Sequence, residues 1–75
     1  MPRYYFHLRD GPFYEIDPLG LEFPTLGHAV LDARMAACEI MHDRGACCDG
    51  QRFEIADENG LVIETIPFRQ AVRLS

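Results

Sequence analysis

The chain has 75 residues, a formal net charge of −5 and 48% hydrophobic residues, a composition that predicts one small folded domain over residues 1–75. All seven basic residues are arginines dispersed along an acidic chain, which argues against binding to nucleic acid. No apolar run approaches the about 20 residues that span a bilayer, and an odd number of cysteines, three, is not typical of a secreted disulfide framework, so we expect a cytoplasmic protein without a membrane segment.

The first half of the chain predicts two strands. Residues 3–8 alternate between two faces, which is typical of a half-buried strand. The face predicted to point inward carries Tyr4, Phe6 and Leu8, and the opposite face carries Arg3, Tyr5 and His7. After a turn at Asp10-Gly11, residues 13–16 predict a short edge strand, and residues 17–24 predict an irregular connection.

Residues 25–44 predict one long helix. Thr25 has a hydroxyl group suited to capping the first turn, and Gly45 suits the left-handed position that closes a helix. At about 100° per residue the apolar side chains form one stripe, with alanines at its centre that favour close packing on a sheet. The stripe consists of Leu26, Val30, Ala33, Ala37, Ile40 and Met41.

The second half predicts a hairpin. After a loop over residues 45–50, residues 52–56 and 61–66 predict two strands, and Asn59-Gly60 between them predicts a tight turn with positive φ at both residues. Strand, strand, helix, strand, strand is the order of an α+β fold, in which one long helix crosses one face of a small antiparallel sheet of three to four strands. The order of the strands within the sheet stays open.

Three stretches of the sequence resemble a family of short alphaproteobacterial proteins of unknown function. They are the opening M-P-R-Y-Y-F-H with the following Asp10-Gly11, the Gly20-Leu21-Glu22 stretch before the helix, and the closing Ile66-Pro67-Phe68-Arg69. The resemblance covers nearly the whole chain. It implies membership of an uncharacterised family and no particular activity.

The residue types and spacings that the sequence lacks predict that the protein is not an enzyme. The chain has no lysine for a Schiff base or a phosphate loop, and its only serine is the terminal Ser75. The six glycines have turn or cap positions, and none gives a phosphate-binding spacing. No pair of carboxylates stands out as a general acid and base.

A thiol- or metal-dependent sensor is the alternative from a different class. Cys38 and His42 are four residues apart on the predicted helix, and Cys47 and Cys48 follow just past its end, so that the four side chains are types that zinc prefers. Their spacing matches no familiar zinc motif, and a small buried thiol, a histidine near a helix terminus and two loop thiols explain them better. The sequence therefore predicts no bound metal or cofactor.

Apolar side chains outside the predicted core indicate self-association. The helix carries Leu31, Met35 and Cys38 opposite the core stripe, and on the last strand Val62 and Ile66 are predicted to point outward. A homodimer would cover such surface, although residues 13–23 or 68–74 folding over it would do the same. The sequence thus favours a non-catalytic binding module that acts through homodimerisation and contact with another protein.

The sequence also predicts a polar candidate site on the first strand. Arg3, Tyr5 and His7 on the outer face of the first strand, together with Arg69, form a predicted cationic and aromatic patch. Such a patch suits a small anion or an acidic peptide, and ordinary solvated strand residues are the alternative interpretation.

Overall fold

The computed structural model describes residues 1–44 and 50–69, which form a sheet with one helix packed on it. The elements follow in the order β1, β2, β3, α1, β4, β5. Their bounds are β1 Arg3–Asp10, β2 Phe13–Glu15, β3 Leu21–Glu22, α1 Leu26–Arg44, β4 Gln51–Ala56 and β5 Val62–Pro67. The predicted α+β fold and its strand, strand, helix, strand, strand order are confirmed, with the two-residue β3 as an addition.

The strands lie in the order β2-β1-β4-β5, and every pairing is antiparallel. Strands β2 and β3 share one edge of β1, where β3 pairs with its first residues and β2 with its last. The central pair aligns His7 with Glu54 and Arg9 with Arg52. Because side chains directly opposite each other share a side of the sheet, this register places them all on the side away from α1, here called the outer sheet face.

Helix α1 contacts the other side, the inner sheet face, through small side chains. Ala29, Ala33 and Ala37 are fully buried, and the remaining stripe residues are partly buried against them, so the predicted stripe is confirmed. The helix begins with a cap in which the His28 N–H donates to Thr25 Oγ1 at 3.3 Å. Among the described residues no helix is both long enough and apolar enough to cross a membrane.

Aromatic rings fill the inner sheet face beside the helix. Phe23 stacks on Phe6 with ring centroids 5.8 Å apart, and Phe6 contacts Phe53. The ring centroids of Phe53 and Phe68 are 5.0 Å apart, and Phe68 is fully buried. Because the helix contributes mainly alanines at its closest approach, these rings supply much of the apolar volume of the core.

The hairpin between β4 and β5 closes differently from the prediction. Asp57 Oδ1 accepts hydrogen bonds from the N–H groups of Asn59 and Leu61, at 2.9 and 3.0 Å, and the Gly60 N–H donates to the Asp57 carbonyl oxygen. Gly60 has a φ of 86°, whereas Asn59 keeps a negative φ. The prediction of a positive φ at Asn59 is wrong, because the Asp57 side chain organises the turn and needs only one left-handed residue.

A bulge in β5 overturns the predicted orientation of Ile66. Ile55 pairs with Glu64 and Ala56 with Val62, so Ile63 is an extra residue that shifts the alternation by one. Ile66 lies opposite Phe53 on the inner sheet face and is only 5% exposed. Its prediction as an outward-facing interface residue is therefore wrong, while Val62 is exposed on the outer sheet face as predicted.

The edge strand β5 offers few backbone donors to a further strand. The Thr65 N–H donates to Glu64 Oε1 at 3.2 Å, and Pro67 has no N–H group. On the opposite edge, β2 and β3 have only three and two residues. Strand addition at either edge is thus poorly supported by the backbone.

Candidate functional site

The outer sheet face carries a cluster of charged and aromatic side chains with no second layer of secondary structure over it in the described part of the chain. Glu54 lies at its centre, and its side chain is only 13% exposed. Glu54 Oε2 accepts from Arg9 Nε at 3.1 Å and lies 3.4 Å from Arg52 Nε. The Arg9 guanidinium carbon lies 4.1 Å from the centre of the Tyr14 ring. We call Arg9, Tyr14, Arg52 and Glu54 the arginine cluster.

The protonation states of the arginine cluster follow from its contacts. Burial alone would raise the pKa of Glu54, but hydrogen bonds from Tyr14 and Arg9 and the positive charges of Arg9 and Arg52 lower it below its ordinary value. Burial and the adjacent Glu54 carboxylate raise the pKa of Tyr14. At neutral pH Glu54 is therefore an anion, and Tyr14 keeps the proton of its hydroxyl group.

The residues predicted to form the cationic patch are occupied by the chain itself. Arg3 Nη1 donates to the carbonyl oxygen of Leu19 at 2.8 Å, and its Nη2 lies 3.8 Å from Glu22. His7 Nδ1 accepts the Asp17 N–H at 3.0 Å. These two side chains hold the connection between β2 and β3 against β1, so they have a structural role that the sequence did not indicate.

The other two residues of that patch differ from each other. The ring of Tyr5 lies against Gly20, where a Cβ atom would come within 2.9 Å of its carbons. Arg69 is exposed and follows the last strand. A role of Arg3, Tyr5, His7 and Arg69 in ligand binding stays a prediction.

Asp17 is the centre of the connection over residues 16–20. Its Oδ2 accepts the N–H of Phe6 at 3.1 Å, in the gap where neither β2 nor β3 pairs with β1. Its Oδ1 accepts the N–H groups of Leu19 and Gly20, both at 3.1 Å. Burial would raise the pKa of Asp17, but these three donors and the nearby His7 lower it below its ordinary value.

Asp17→Asn is expected to destabilise the fold by about 1–3 kcal/mol at neutral pH, because the amide group cannot accept the Phe6 N–H while its oxygen serves the turn. Because the pKa of Asp17 is lowered in the folded chain, its contribution to the free energy of unfolding is fully present above the ordinary pKa of 3.8. That contribution is lost as the pH falls through the lowered pKa. Urea unfolding of the wild type and of Asp17→Asn measures how the stability difference between them changes from neutral pH to below about 4, the ordinary pKa of an aspartate.

Asp57→Asn is the matched control for Asp17→Asn. Asp57 accepts its two turn hydrogen bonds through Oδ1 alone, which the amide retains, so we expect a smaller loss of stability. Equal losses in the two variants, or an unchanged stability difference between wild type and Asp17→Asn across the acid range, would contradict the role assigned to Asp17.

The outward side of α1, here called the outer helix face, is the second candidate surface. Leu31 and Met35 are each 58% exposed, while Cys38 is partly buried against the core. Leu31 and Met35 thus lie where the sequence predicts them, and Cys38 lies at the margin between surface and core. Their role as an interface stays a prediction.

The sensor hypothesis cannot be followed to its full set of residues. His42 is exposed on α1 and one helical turn beyond Cys38, but Cys47 and Cys48 lie outside the described residues. Within residues 1–44 and 50–69 no three histidine, cysteine or acidic side chains group in a way that could hold a metal ion. The thiol or metal site therefore stays a prediction.

The arginine cluster was missed from the sequence, because the predicted first strand ends at Leu8 and the sequence leaves its pairing with residues 52–56 open. Arg9 lies one residue beyond the predicted first strand, and Arg52 begins the predicted third. The available signal was their alternation: Arg9 continues the series of Arg3, Tyr5 and His7, and Arg52 alternates with the apolar Phe53 and Ile55. Only the pairing of β1 with β4 brings them together.

A family described as a domain of unknown function, DUF6894, matches residues 3–69, which includes β1 to β5 and the complete helix. No curated protein and no solved structure is significantly similar to the chain.

Proposed function

The chain belongs to this family of unknown function, and from its own geometry we propose that it is a non-catalytic binding module that forms a homodimer and contacts another protein. The observation that carries the proposal is the exposure of Leu31 and Met35, at 58% each, on the outer helix face. Apolar side chains one helical turn apart and facing away from the core are typical of a helix that packs against another helix.

The spacing of the outer helix face supports a second copy of this chain as the occupant. Its positions 28, 31, 35, 38 and 42 are separated by alternating steps of three and four residues, as in the seam of a short coiled coil. In a parallel pair of such helices, Arg34 on one flank of the seam faces Glu39 on the flank of the second copy. Both side chains are exposed, and twofold symmetry would form this ion pair twice.

The size of the core also favours a dimer. A chain of 75 residues rarely obtains more than about 3–5 kcal/mol from one core, and here the helix contributes mainly alanines to its closest contacts. Covering Leu31 and Met35 in a symmetric interface would add apolar burial that a single chain lacks. The outer sheet face lies on the other layer and stays accessible for a protein partner.

The proposal places this module in the cytoplasm, as expected for a chain whose three cysteines do not form a secreted disulfide framework. It assigns no catalytic residue, because the chemical groups of the arginine cluster are used in ion pairs and hydrogen bonds with each other.

Met35→Glu tests the dimer. The wild type is expected to show twice the mass of one chain by light scattering at micromolar concentration, and Met35→Glu is expected to show the mass of one chain, because two carboxylates would meet near the symmetry axis. Leu19→Glu is the matched control, since Leu19 is 76% exposed on the β2–β3 connection, and it should stay dimeric. A wild-type protein with the mass of one chain would refute the dimer.

A charge exchange tests the parallel arrangement. Arg34→Glu alone is expected to weaken the dimer, since it would oppose Glu39 of the second copy, and adding Glu39→Arg should restore it. Restoration measures direct coupling between the two positions and does not depend on the overall charge. Two single variants whose effects simply add in the double variant would contradict the parallel pairing.

A further inference from the structure

The arginine cluster contains more positive than negative charge. Arg9 and Arg52 are directly opposite each other on neighbouring strands, where two like charges destabilise a sheet. The single carboxylate of Glu54 contacts both guanidinium groups, and one positive charge is left over. In a chain with a net charge of −5 this local excess requires an explanation.

Within the described part of the chain, no carboxylate other than that of Glu54 forms an ion pair with Arg9 or Arg52. Arg3 lies near Glu22, about 20 Å from Arg9 along the extended strand. The Asp17 carboxylate is nearer, beside His7, but both of its oxygens accept backbone N–H groups. Asp10, the residue after Arg9, has its carboxylate bound to Gln51 Nε2 at 3.0 Å.

The Arg9 guanidinium group is held in a defined orientation. Its Nε donates to Glu54 Oε2, and its carbon lies over the Tyr14 ring, while Arg52 Nε lies 3.4 Å from the same oxygen as an ion pair. A guanidinium group is planar and has a second edge, formed by its two terminal nitrogens. Because the Arg9 Nε donates to Glu54, the second edge of the Arg9 guanidinium group points away from Glu54. Part of the entropic cost of binding is thereby removed before a ligand arrives.

The surroundings of the arginine cluster indicate the kind of ligand. The outer sheet face is a pleated surface with no layer of secondary structure over it in the described residues, so it suits an extended chain more than an enclosed small molecule. Tyr14 and Val62 expose apolar area on the same face, at 38% and 41%. The acidic chain as a whole would repel a polyanion such as nucleic acid, whereas a short acidic segment needs only local attraction.

We infer that Arg9 and Arg52 bind a carboxylate side chain of an acidic peptide segment in a partner protein, with the terminal nitrogens of the two guanidinium groups donating to it. Glu54 and Tyr14 are positioning residues, since they hold the arginines and do not touch the ligand. This inference rests on the proposed binding role and names the class of partner; it does not depend on the dimer, because the helix and the arginine cluster lie on opposite layers.

The test titrates the isotopically labelled full chain with a blocked hexaglutamate peptide and follows the Nε–H resonances of Arg9 and Arg52. We expect both resonances to shift saturably, with blocked hexaglutamine causing no shift. Arg52→Gln should weaken binding about tenfold or more, because a charge-assisted hydrogen bond is lost. Arg52→Lys, which keeps the charge but not the planar pair of donors, should remain weakened.

Arg44→Gln is the matched control, because it removes the same charge from the last residue of the helix, on the other layer, and should bind hexaglutamate as the wild type does. Equal weakening by Arg44→Gln and Arg52→Gln would overturn the inference in favour of general charge attraction. Saturation by inorganic phosphate but not by hexaglutamate would overturn the carboxylate class, and the absence of any shift at Arg9 and Arg52 would overturn the site. Mass measurements report on the dimer separately, so its failure is distinguishable from each of these outcomes.

Discussion

Phe68→Ala is expected to lower the free energy of unfolding by about 3–5 kcal/mol, the largest loss of any single truncation discussed for this chain. Phe68 is fully buried, and its ring contacts Phe53 at 5.0 Å at one end of the aromatic series on the inner sheet face. A domain of this size rarely has more than about 3–5 kcal/mol to lose. We therefore expect Phe68→Ala to be largely unfolded, as measured by circular dichroism and urea titration.

Phe13→Ala provides the comparison for Phe68→Ala. Phe13 is the same residue type with 74% of its surface exposed on the short strand β2, so its truncation leaves no cavity and should change the stability by about 0.5 kcal/mol or less. If the two variants lost similar stability, Phe68 would not have the core position described here.

Gly20→Ala is expected to be the most destabilising substitution of a glycine, at about 2–5 kcal/mol. Gly20 has a φ of 67°, which costs a residue with a Cβ atom about 1–2 kcal/mol by itself. A Cβ atom there would also lie 2.8 Å from the Tyr4 carbonyl oxygen and 2.9 Å from two carbons of the Tyr5 ring. The carbonyl group belongs to β1 and cannot move without disturbing the sheet.

Gly11→Ala separates the two causes of the loss at Gly20. Gly11 has a φ of 59°, close to that of Gly20, but no atom lies within 4 Å of the position its Cβ would occupy. Gly11→Ala should therefore show the conformational cost alone, about 1–2 kcal/mol. The difference between the two variants, measured by urea unfolding under identical conditions, gives the cost of the contact; no difference would contradict the close approach of Gly20 to β1.

Local periodicity explains what could be predicted from the sequence. The alternation over residues 3–8 is a property of a few neighbouring residues, and so is the stripe that contains Val30, Ala33 and Ala37, so neither prediction required knowledge of other strands. The α+β class follows from the order of such elements. The family resemblance through the opening and closing residues is confirmed by the match over residues 3–69.

Pairing register explains what could not be predicted. The bulge at Ile63 reverses the faces of the residues that follow it, and no local pattern in β5 distinguishes that arrangement from regular alternation. The arginine cluster depends on the same kind of information, since Arg9 and Arg52 are opposite each other only in one register of β1 and β4. The structural role of Asp17 could not be predicted, because its hydrogen-bond donor, the Phe6 N–H, is a backbone group that leaves no signal in the sequence.

The backbone of β5 has a consequence for behaviour at high concentration. Fibres and domain-swapped aggregates grow when an edge strand recruits the same strand from another molecule through a row of unsatisfied N–H groups. In β5 the Thr65 N–H is bonded to Glu64, and Pro67 interrupts the row. In the double variant Glu64→Ala and Pro67→Val these N–H groups would be free to pair with β5 of another molecule, so we expect the variant to polymerise.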